Sequence, residues 1–336
     1  MRELASMGFP KEGFAEHHQK GIAILPAEAT APLPAETILT DYARHEGISA
    51  ATAKKYGATF RQIARILGYD DLRRITDDDA RRFVQARMDE GRNTGTVQDD
   101  VLAAGAVFNW GVRQKRFTSN PWKDIAPKAP RRGPPPRVKY GDDEARRILT
   151  SAREESGWLR WAPWLMCFTG ARIGEIAELR RGDVHTDKAL QILDIVPTDA
   201  RAGKNEEFQR MIPLHSALIA EGFLDYVASL PPNPDGPLFP SIKPDPHGRR
   251  DTPAQTQLGR WMRSKVKITD PKKAPAHSWR HWVKDQLRGS DAEAQDAILG
   301  HYNPRNAGAG YGKGFRGMPD KLVEVVEKIK SPLTPI

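Results

Sequence analysis

The sequence predicts a two-domain, mostly α-helical protein with a small antiparallel β-sheet in its second domain. Apolar residues recur at helical spacing through the first third of the chain, and two β-rich runs flank a polar turn in the second half. A proline-rich basic segment separates these two regions. The length of 336 residues is sufficient for two compact domains with at least one large core.

The first domain is predicted to be a small helical bundle over residues 36–126. Two apolar stripes at intervals of three and four residues define helices in it: Tyr56, Phe60, Ile63 and Leu67 form one, and Val101, Ala104, Phe108 and Val112 form the other. Thr76 precedes three aspartates, a pattern typical of a helix start. Residues 1–35 contain scattered proline and glycine, and we expect them to be poorly structured.

Residues 127–139 are predicted to form a semi-rigid basic linker. The segment contains five prolines and no acidic residue, which favours extended polyproline geometry and prevents burial in a core. If the protein binds a duplex, we expect this linker to cross it. The candidate DNA contacts in the linker are its five cations: Lys128, Arg131, Arg132, Arg137 and Lys139.

The second domain is predicted to span residues 140–317 and to be of the α+β type. Segments 161–168 and 173–179 have the pattern of buried helices, whereas 190–196 and 208–214 are β-rich and form a hairpin around a polar turn. The chain becomes helical again after about residue 255. Residues 318–336 are predicted to form a C-terminal helix and tail, with an apolar stripe of Leu322, Val325, Val326 and Ile329.

Composition limits the classes of function. Lysine and arginine total 52 against 43 acidic residues, so the net charge is +9, which points toward a polyanionic partner, although a merely soluble basic protein can carry the same charge. The single cysteine, Cys167, excludes an intramolecular disulfide and a cysteine-rich zinc site. We find no apolar run of membrane-spanning length and no signal-peptide pattern, and we therefore expect a soluble cytoplasmic protein.

Two short polar motifs stand near the predicted helix and hairpin of the second domain. Arg172 and Glu175 lie three residues apart after a glycine-containing turn, so they share one helix face. Taken alone, this pair is typical of an ordinary surface ion pair. Lys204 lies in the turn of the predicted hairpin. A lysine in a turn is usually solvated, and it acquires a further role only if the hairpin tip reaches a cleft.

Three further motifs follow toward the C-terminus. His277 and Arg280 are spaced to lie side by side on one helix, and His281 raises the alternative of a histidine pair for zinc. The serine after His277 and the nearby Arg280 argue against that metal site. His301 follows a leucine and a glycine, and Tyr311 stands between glycines, where it has little apolar surface to pack against.

This ordered set of arginine, lysine, His-x-x-Arg, Gly-His and tyrosine resembles the tyrosine recombinase family, which includes the phage integrases. The resemblance covers about residues 36–330. It implies a helical core DNA-binding (SAM-like) domain, followed by an α+β catalytic domain like that of the DNA breaking-rejoining enzymes. It also implies double-stranded DNA as substrate, and site-specific integration or excision of a phage or mobile element in a bacterial cell, at the nucleoid.

The family resemblance gives each polar residue an expected role. Arg172 and Arg280 would hold the scissile phosphate, with Glu175 positioning Arg172. His277 and His301 would donate hydrogen bonds to the phosphate, and His277 is the preferred candidate for the base, although either histidine can serve. Lys204 would protonate the departing 5′ oxygen, and Tyr311 would form a 3′-phosphotyrosyl link. Transesterification of this kind needs neither ATP nor a metal, so no cofactor is expected.

Some features depart from the family pattern. The interval from His301 to Tyr311 is one residue longer than expected, and the first 35 residues are too short for a separate arm-binding domain. The C-terminal helix either packs on its own domain or, as in the family, on a neighbouring protomer of a DNA-bound homotetramer. Accessory DNA-bending or directionality factors are further expected partners. Two alternatives stay open: type IB topoisomerase-like relaxation without strand exchange, and a non-catalytic architectural DNA-binding protein.

Overall fold

The computed structural model describes residues 31–128, 138–196, 209–246, 248–301, 315 and 318–334. The chain divides into two compact units, Met1–Gly133 and Pro134–Ile336. The first is helical, and the second combines helices with one small sheet. Across the described ranges, no helix is both long and apolar enough to cross a membrane.

The first unit contains four α-helices, which enclose one apolar core. Their bounds are α1 Ala35–Glu46, α2 Ala50–Leu67, α3 Asp77–Asp89 and α4 Thr94–Arg113, with a short 3-10 helix at Leu72–Arg74. Thr76 caps α3 by accepting a hydrogen bond from the Asp79 amide, and the Asp79 carboxylate accepts one from the Thr76 amide. The predicted helix start is therefore confirmed. Phe60, Ile63 and Phe108 from the predicted stripes are buried in this core.

A buried ionic network links three of these helices. The Arg87 guanidinium on α3 donates to Asp100 on α4 through two nitrogens, at 3.2 and 3.1 Å. Thr59 on α2 donates to the other Asp100 oxygen at 2.9 Å. Because each buried polar group has a partner, the network fixes the mutual positions of α2, α3 and α4 without leaving an unpaired charge.

The second unit contains nine α-helices in its described part. They are α5 Asp142–Arg153, α6 Gly157–Thr169, α7 Ile173–Ala177, α8 Ser216–Ala220, α9 Phe223–Ser229, α10 Asp251–Ser264, α11 His277–Gln286, α12 Ala292–Leu299 and α13 Pro319–Val326. Helix α6 is buried over most of its length and lies in the core, as expected from its run of tryptophans and other large apolar side chains.

One antiparallel three-stranded sheet completes this unit. The strands are β1 Val184–Asp187, β2 Leu190–Ile195 and β3 Arg210–Pro213, in the order β1-β2-β3. Leu193 on β2 pairs with Val184 on β1 and with Ile212 on β3. The hairpin expected from the two β-rich runs is confirmed as β2 and β3, whereas β1 had not been expected.

The C-terminal helix packs against its own unit. Leu322, Val325, Val326 and Ile329 are all buried in the core. His215 Nε2 donates to the Ile329 carbonyl at 2.9 Å, while His215 Nδ1 accepts from the Ala217 amide. Burial lowers the pKa of His215, which favours the neutral ring that these two bonds require. The apolar stripe is therefore covered within the single chain.

Candidate functional site

The site begins at the turn between α6 and α7. Gly170 ends α6 in a left-handed conformation, with φ of 61°, and a Cβ there would lie only 2.7 Å from the Leu299 side chain. This close approach brings the end of α12 against the turn. Arg172 follows at the N-cap of α7, with its side chain about half exposed. The turn therefore presents a guanidinium at the surface while its own backbone is packed in the core.

Glu175 holds Arg172 through two hydrogen bonds. Its carboxylate accepts from the Arg172 amide at 2.7 Å and from Arg172 Nη1 at 2.8 Å. Glu175 is only 3% exposed, so the expected interpretation of an ordinary surface pair is incomplete. Burial alone would raise the pKa of this carboxyl group, but the charges and hydrogen bonds of Arg210 and Arg172 together outweigh burial and lower the pKa to about 2. Glu175 is therefore ionised at neutral pH.

Arg210 on β3 is a site residue that sequence reasoning missed. Its guanidinium is fully buried, donates from Nη2 to Glu175 Oε2 at 2.7 Å, and donates from Nε to the Ile298 carbonyl at 2.9 Å. It thereby connects the sheet, α7 and the end of α12. The available signal was a cation within a β-rich run, where an exposed or apolar residue is the usual occupant.

Arg280 on α11 is buried without a carboxylate partner among the described residues. Its two hydrogen bonds go to the backbone carbonyls of Gly170, at 2.9 Å, and Leu299. A guanidinium has five N–H donors, so further donors remain for a ligand. Burial and, to a smaller extent, the charge of Arg172 lower the pKa of Arg280 to about 9.

His301 lies immediately after α12, next to these arginines. Gly300 ends α12 in the left-handed region, with φ of 63°. The His301 side chain is about one-third exposed, and Nδ1 lies 3.6 Å from Asp296 Oδ1. Burial, together with the charges of Arg280, Lys284, Arg172 and Arg210, lowers the pKa of His301 to about 4. The ring is therefore neutral at neutral pH, with one nitrogen as donor and the other as acceptor.

His277 occupies the first position of α11, one helical turn before Arg280. It is exposed, whereas Ser278, Trp279 and Arg280 are buried. Its ring meets that of His281 edge to face, with centroids 4.8 Å apart. In the ranges that the structure describes, no group of three or more His, Cys, Asp or Glu could hold a metal ion.

Several predicted site residues lie outside the described residues. These are Lys204, Tyr311, Arg131, Arg132 and Arg137. Of the two linker cations that are described, Lys128 is exposed, and Lys139 donates to the Asp285 carboxylate. The structure thus brings together Arg172, Glu175, Arg280 and His301 and adds Arg210, while His277 lies at the exposed end of α11.

The fold of this chain recurs among solved DNA integrases. It is similar to the Tn1549 transposon integrase in complex with a circular intermediate DNA, with 16% identity over 85% of this chain and 98% of that chain, at a TM-score of 0.60. It is also similar to lambda integrase in a dimer bound to a COC′ core site, with 19% identity over 81% of this chain and 75% of that chain, at a TM-score of 0.59.

A lambda integrase tetramer bound to a Holliday junction is also similar, with 18% identity over 81% of this chain and 78% of that chain, at a TM-score of 0.59. No protein-family model and no curated protein sequence matches the chain. The predicted fold class, mostly α with a small antiparallel sheet, is confirmed, and the fold is similar to that of these solved integrases.

Proposed function

We propose that this protein is a site-specific DNA recombinase that cleaves and rejoins double-stranded DNA through a metal-independent 3′-phosphotyrosyl intermediate. It would integrate or excise a phage or mobile element. In this proposal, residues 36–126 form the core DNA-binding domain, 127–139 a DNA-crossing linker and 140–317 the catalytic domain. The fold shared with integrases solved on DNA supports the substrate class.

The observation that carries the proposal is the buried guanidinium of Arg280, which forms no ion pair with a carboxylate in the described part of the chain. A buried charge without a counter-ion is costly, and proteins normally pair it or use it to bind a ligand of opposite charge. The three arginines Arg172, Arg210 and Arg280 form an arginine cluster. Among the described residues, Glu175 is the one carboxylate that forms an ion pair with this cluster, and it is shared by Arg172 and Arg210. An oxyanion bound beside Arg280 would supply the missing negative charge, and a phosphodiester is such an anion.

The two arginines suit a phosphoryl transfer. Attack on a phosphodiester increases the negative charge on the non-bridging oxygens, and guanidiniums stabilise that charge by bidentate hydrogen bonds. Arg172 would contact the phosphate from the exposed side of the site, and Arg280 would contact it from the side of the core. Neutral His301 would donate one further hydrogen bond to the same oxygens. Arg210 would act as a positioning residue, through Glu175.

The remaining steps are assigned to residues outside this buried cluster. The Tyr311 hydroxyl would attack phosphorus, forming the Tyr311–phosphate bond while the bond from phosphorus to the 5′ oxygen breaks. A tyrosine hydroxyl is mostly protonated at neutral pH, so His277 would accept its proton. Lys204 would give a proton to the departing 5′ oxygen. Attack by another 5′ hydroxyl on the phosphotyrosine would reverse these steps and rejoin the strand.

We further propose that the protein acts as a homotetramer on DNA, assembled through the C-terminal helix, with accessory DNA-bending or directionality factors. The lambda integrase tetramer on a Holliday junction supports the tetrameric state by analogy. In the single chain the apolar stripe of α13 is already buried. Assembly through this helix therefore requires that it exchange between protomers or use its exposed face.

A nicked suicide DNA substrate tests the proposed function. Cleavage next to the nick releases a short strand, so that rejoining is prevented and a covalent protein–DNA adduct accumulates. We expect an adduct on denaturing gels for the wild type and none for Tyr311→Phe, with Tyr226→Phe as a matched control elsewhere in the second unit. Absence of an adduct from the wild type on a library of candidate attachment sites would contradict the proposal and favour an architectural DNA-binding role.

A second assay separates recombination from relaxation. A recombinase exchanges strands only between partner sites, whereas a topoisomerase-like enzyme relaxes supercoiled plasmid with no such site. We expect recombinant products from plasmids that carry two sites and no efficient relaxation of a plasmid that lacks them. The reverse pattern would support the topoisomerase-like alternative.

A further inference from the structure

A second cationic surface lies along α11, outside the arginine cluster. His281 and Lys284 follow His277 at intervals of four and three residues, and Arg288 follows Lys284 at an interval of four, just beyond the helix end. Lys284 and Arg288 are exposed, whereas Trp279 and Val283 on the opposite side of the helix are buried. Helical spacing thus aligns His277, His281 and Lys284 on one exposed face of α11.

This face lines a surface cavity of about 590 Å³. The cavity residues are Val138, Lys139, His281, Lys284, Asp285, Arg288 and Gln295. Three of these residues are cationic, and only one carries a carboxylate. The lining therefore has an excess of positive charge whether or not the His281 ring is protonated.

The single carboxylate is already shared. Asp285 accepts a hydrogen bond from Lys139, and Asp285 Oδ1 lies 2.8 Å from Arg288 Nε. These cations lower the pKa of Asp285, with Lys139 the main cause, so the group is ionised. Lys284 forms no ion pair with any described residue. A lysine in the last helical turn interacts favourably with the helix dipole, but this effect does not explain three cations around one cavity.

The cavity adjoins the arginine cluster and the end of the basic linker. Lys284 is close enough to His301 to contribute to the lowered pKa of that ring. On the other side, Ser278 donates to the Val138 carbonyl at 2.7 Å and fixes the chain where it leaves the segment 127–139. The cationic lining of the cavity therefore extends from Lys139 to Lys284, and Lys284 lies near His301.

We propose that this cavity binds a DNA backbone phosphate adjacent to the one held by Arg172 and Arg280, with Lys284 as the principal contact. The proposal rests on the proposed function, because it takes duplex DNA as the ligand. Lys284 lies four residues beyond Arg280 on α11, which is about 6 Å along the helix axis at 1.5 Å per residue. Phosphates of one strand recur at about 3.4 Å along the duplex axis, so a neighbouring phosphate lies within reach of Lys284.

Such a contact would position the duplex without reading its sequence. Phosphate contacts release counterions, so each one contributes to the salt dependence of affinity. Loss of the Lys284 contact should therefore weaken binding to all sequences alike and make the affinity less sensitive to salt. These two effects distinguish a backbone contact from contact with a base edge.

The test compares Lys284→Gln with Lys243→Gln, which removes the same charge from an exposed lysine of the second unit that also has no ion pair with the described residues. The Kd for a duplex that carries the cleavage site is measured over a range of salt concentrations. We expect Lys284→Gln to reduce the slope of log Kd against log salt by about 1, and Lys243→Gln to leave it unchanged. Arg288→Gln provides a second variant if Lys284→Gln fails to fold.

Duplexes with one neutral methylphosphonate at a time identify the phosphate. Neutralising the contacted position should weaken wild-type binding but have no additional effect on Lys284→Gln. The phosphate site is overturned, and the proposed function stands, if the wild type binds and cleaves DNA while Lys284→Gln and Arg288→Gln both leave the salt dependence of Kd and the methylphosphonate profile unchanged. If the wild type neither binds duplex DNA nor forms the covalent adduct, the proposed function itself fails.

Discussion

Arg210 Nη2 and Glu175 Oε2 form a fully buried ion pair at 2.7 Å, in which both side chains are at most 2% exposed. The pair links β3 to α7, and Glu175 also holds Arg172. Arg210 thus fixes the position of the exposed Arg172 guanidinium through Glu175, and it does not need to contact a ligand itself.

Replacement of Arg210 should destabilise the second unit strongly. Arg210→Met removes a charged partner of the buried Glu175 and the donor to the Ile298 carbonyl, so we expect a loss of about 3–5 kcal/mol. The free energy of urea unfolding measures this loss. Arg146→Met, at an exposed position on α5, is the control and should change stability by less than about 0.5 kcal/mol. Equal effects of the two substitutions would contradict the buried pair.

Gly300 should not tolerate a side chain, because Arg210 occupies the space. A Cβ at Gly300 would lie 2.7 Å from Arg210 Nη1, whereas a Cβ at Gly289 meets nothing within 4 Å. Both glycines have positive φ, so Gly289→Ala controls for backbone strain alone. We expect Gly300→Ala to lower the melting temperature clearly more than Gly289→Ala. A similar decrease for both would show that Arg210 can move aside.

Sulfate should stabilise the protein through Arg280. An anion that binds only the folded state contributes about 2.7 kcal/mol at a concentration of 100 times its Kd. We expect sulfate to raise the melting temperature of the wild type more than chloride at equal ionic strength. Arg280→Gln should lose this additional increase, and Arg146→Gln should retain it. If sulfate raises the melting temperature of Arg280→Gln as much as that of the wild type, the anion does not bind at Arg280 and the prediction is contradicted.

His301 should make stability depend on pH in the mildly acidic range. Its pKa falls from 6.5 in the unfolded chain to about 4 in the folded protein, because the ring is partly buried beside cations. The unfolded state therefore binds more protons between these values, and stability that is complete above about pH 6.5 is lost as the pH falls toward 4. Urea unfolding across this range should show a smaller pH dependence for His301→Gln than for the wild type. The control His45→Gln, on the exposed side of α1, should retain the wild-type dependence.

The helices could be predicted because their signals are local. The stripe from Phe60 to Leu67 and the start at Thr76 depend on residues within one or two helical turns. The strand β1 was not predicted, because Val184–Asp187 is short and shows no regular alternation of buried and exposed residues. An edge strand of this kind depends on pairing with β2 rather than on its own pattern.

The motifs indicated which residues belong to the candidate site, but not how they are held. Arg172, Arg280 and His301 follow a recognisable order in the sequence. The burial of Arg210, in contrast, depends on α7 and the end of α12, which lie 35 and 88 residues away along the chain. Such burial results from tertiary packing, and neither propensity nor periodicity encodes it.

The central claim is that Tyr311 attacks a phosphorus atom held by Arg172 and Arg280. Mass spectrometry of the proteolysed covalent adduct tests it most directly, because it identifies the residue that carries the DNA. We predict that the modified peptide contains Tyr311 linked to a 3′ phosphate, and that Arg280→Gln greatly reduces its yield. An adduct on any other residue, or a full yield from Arg280→Gln, would contradict the account.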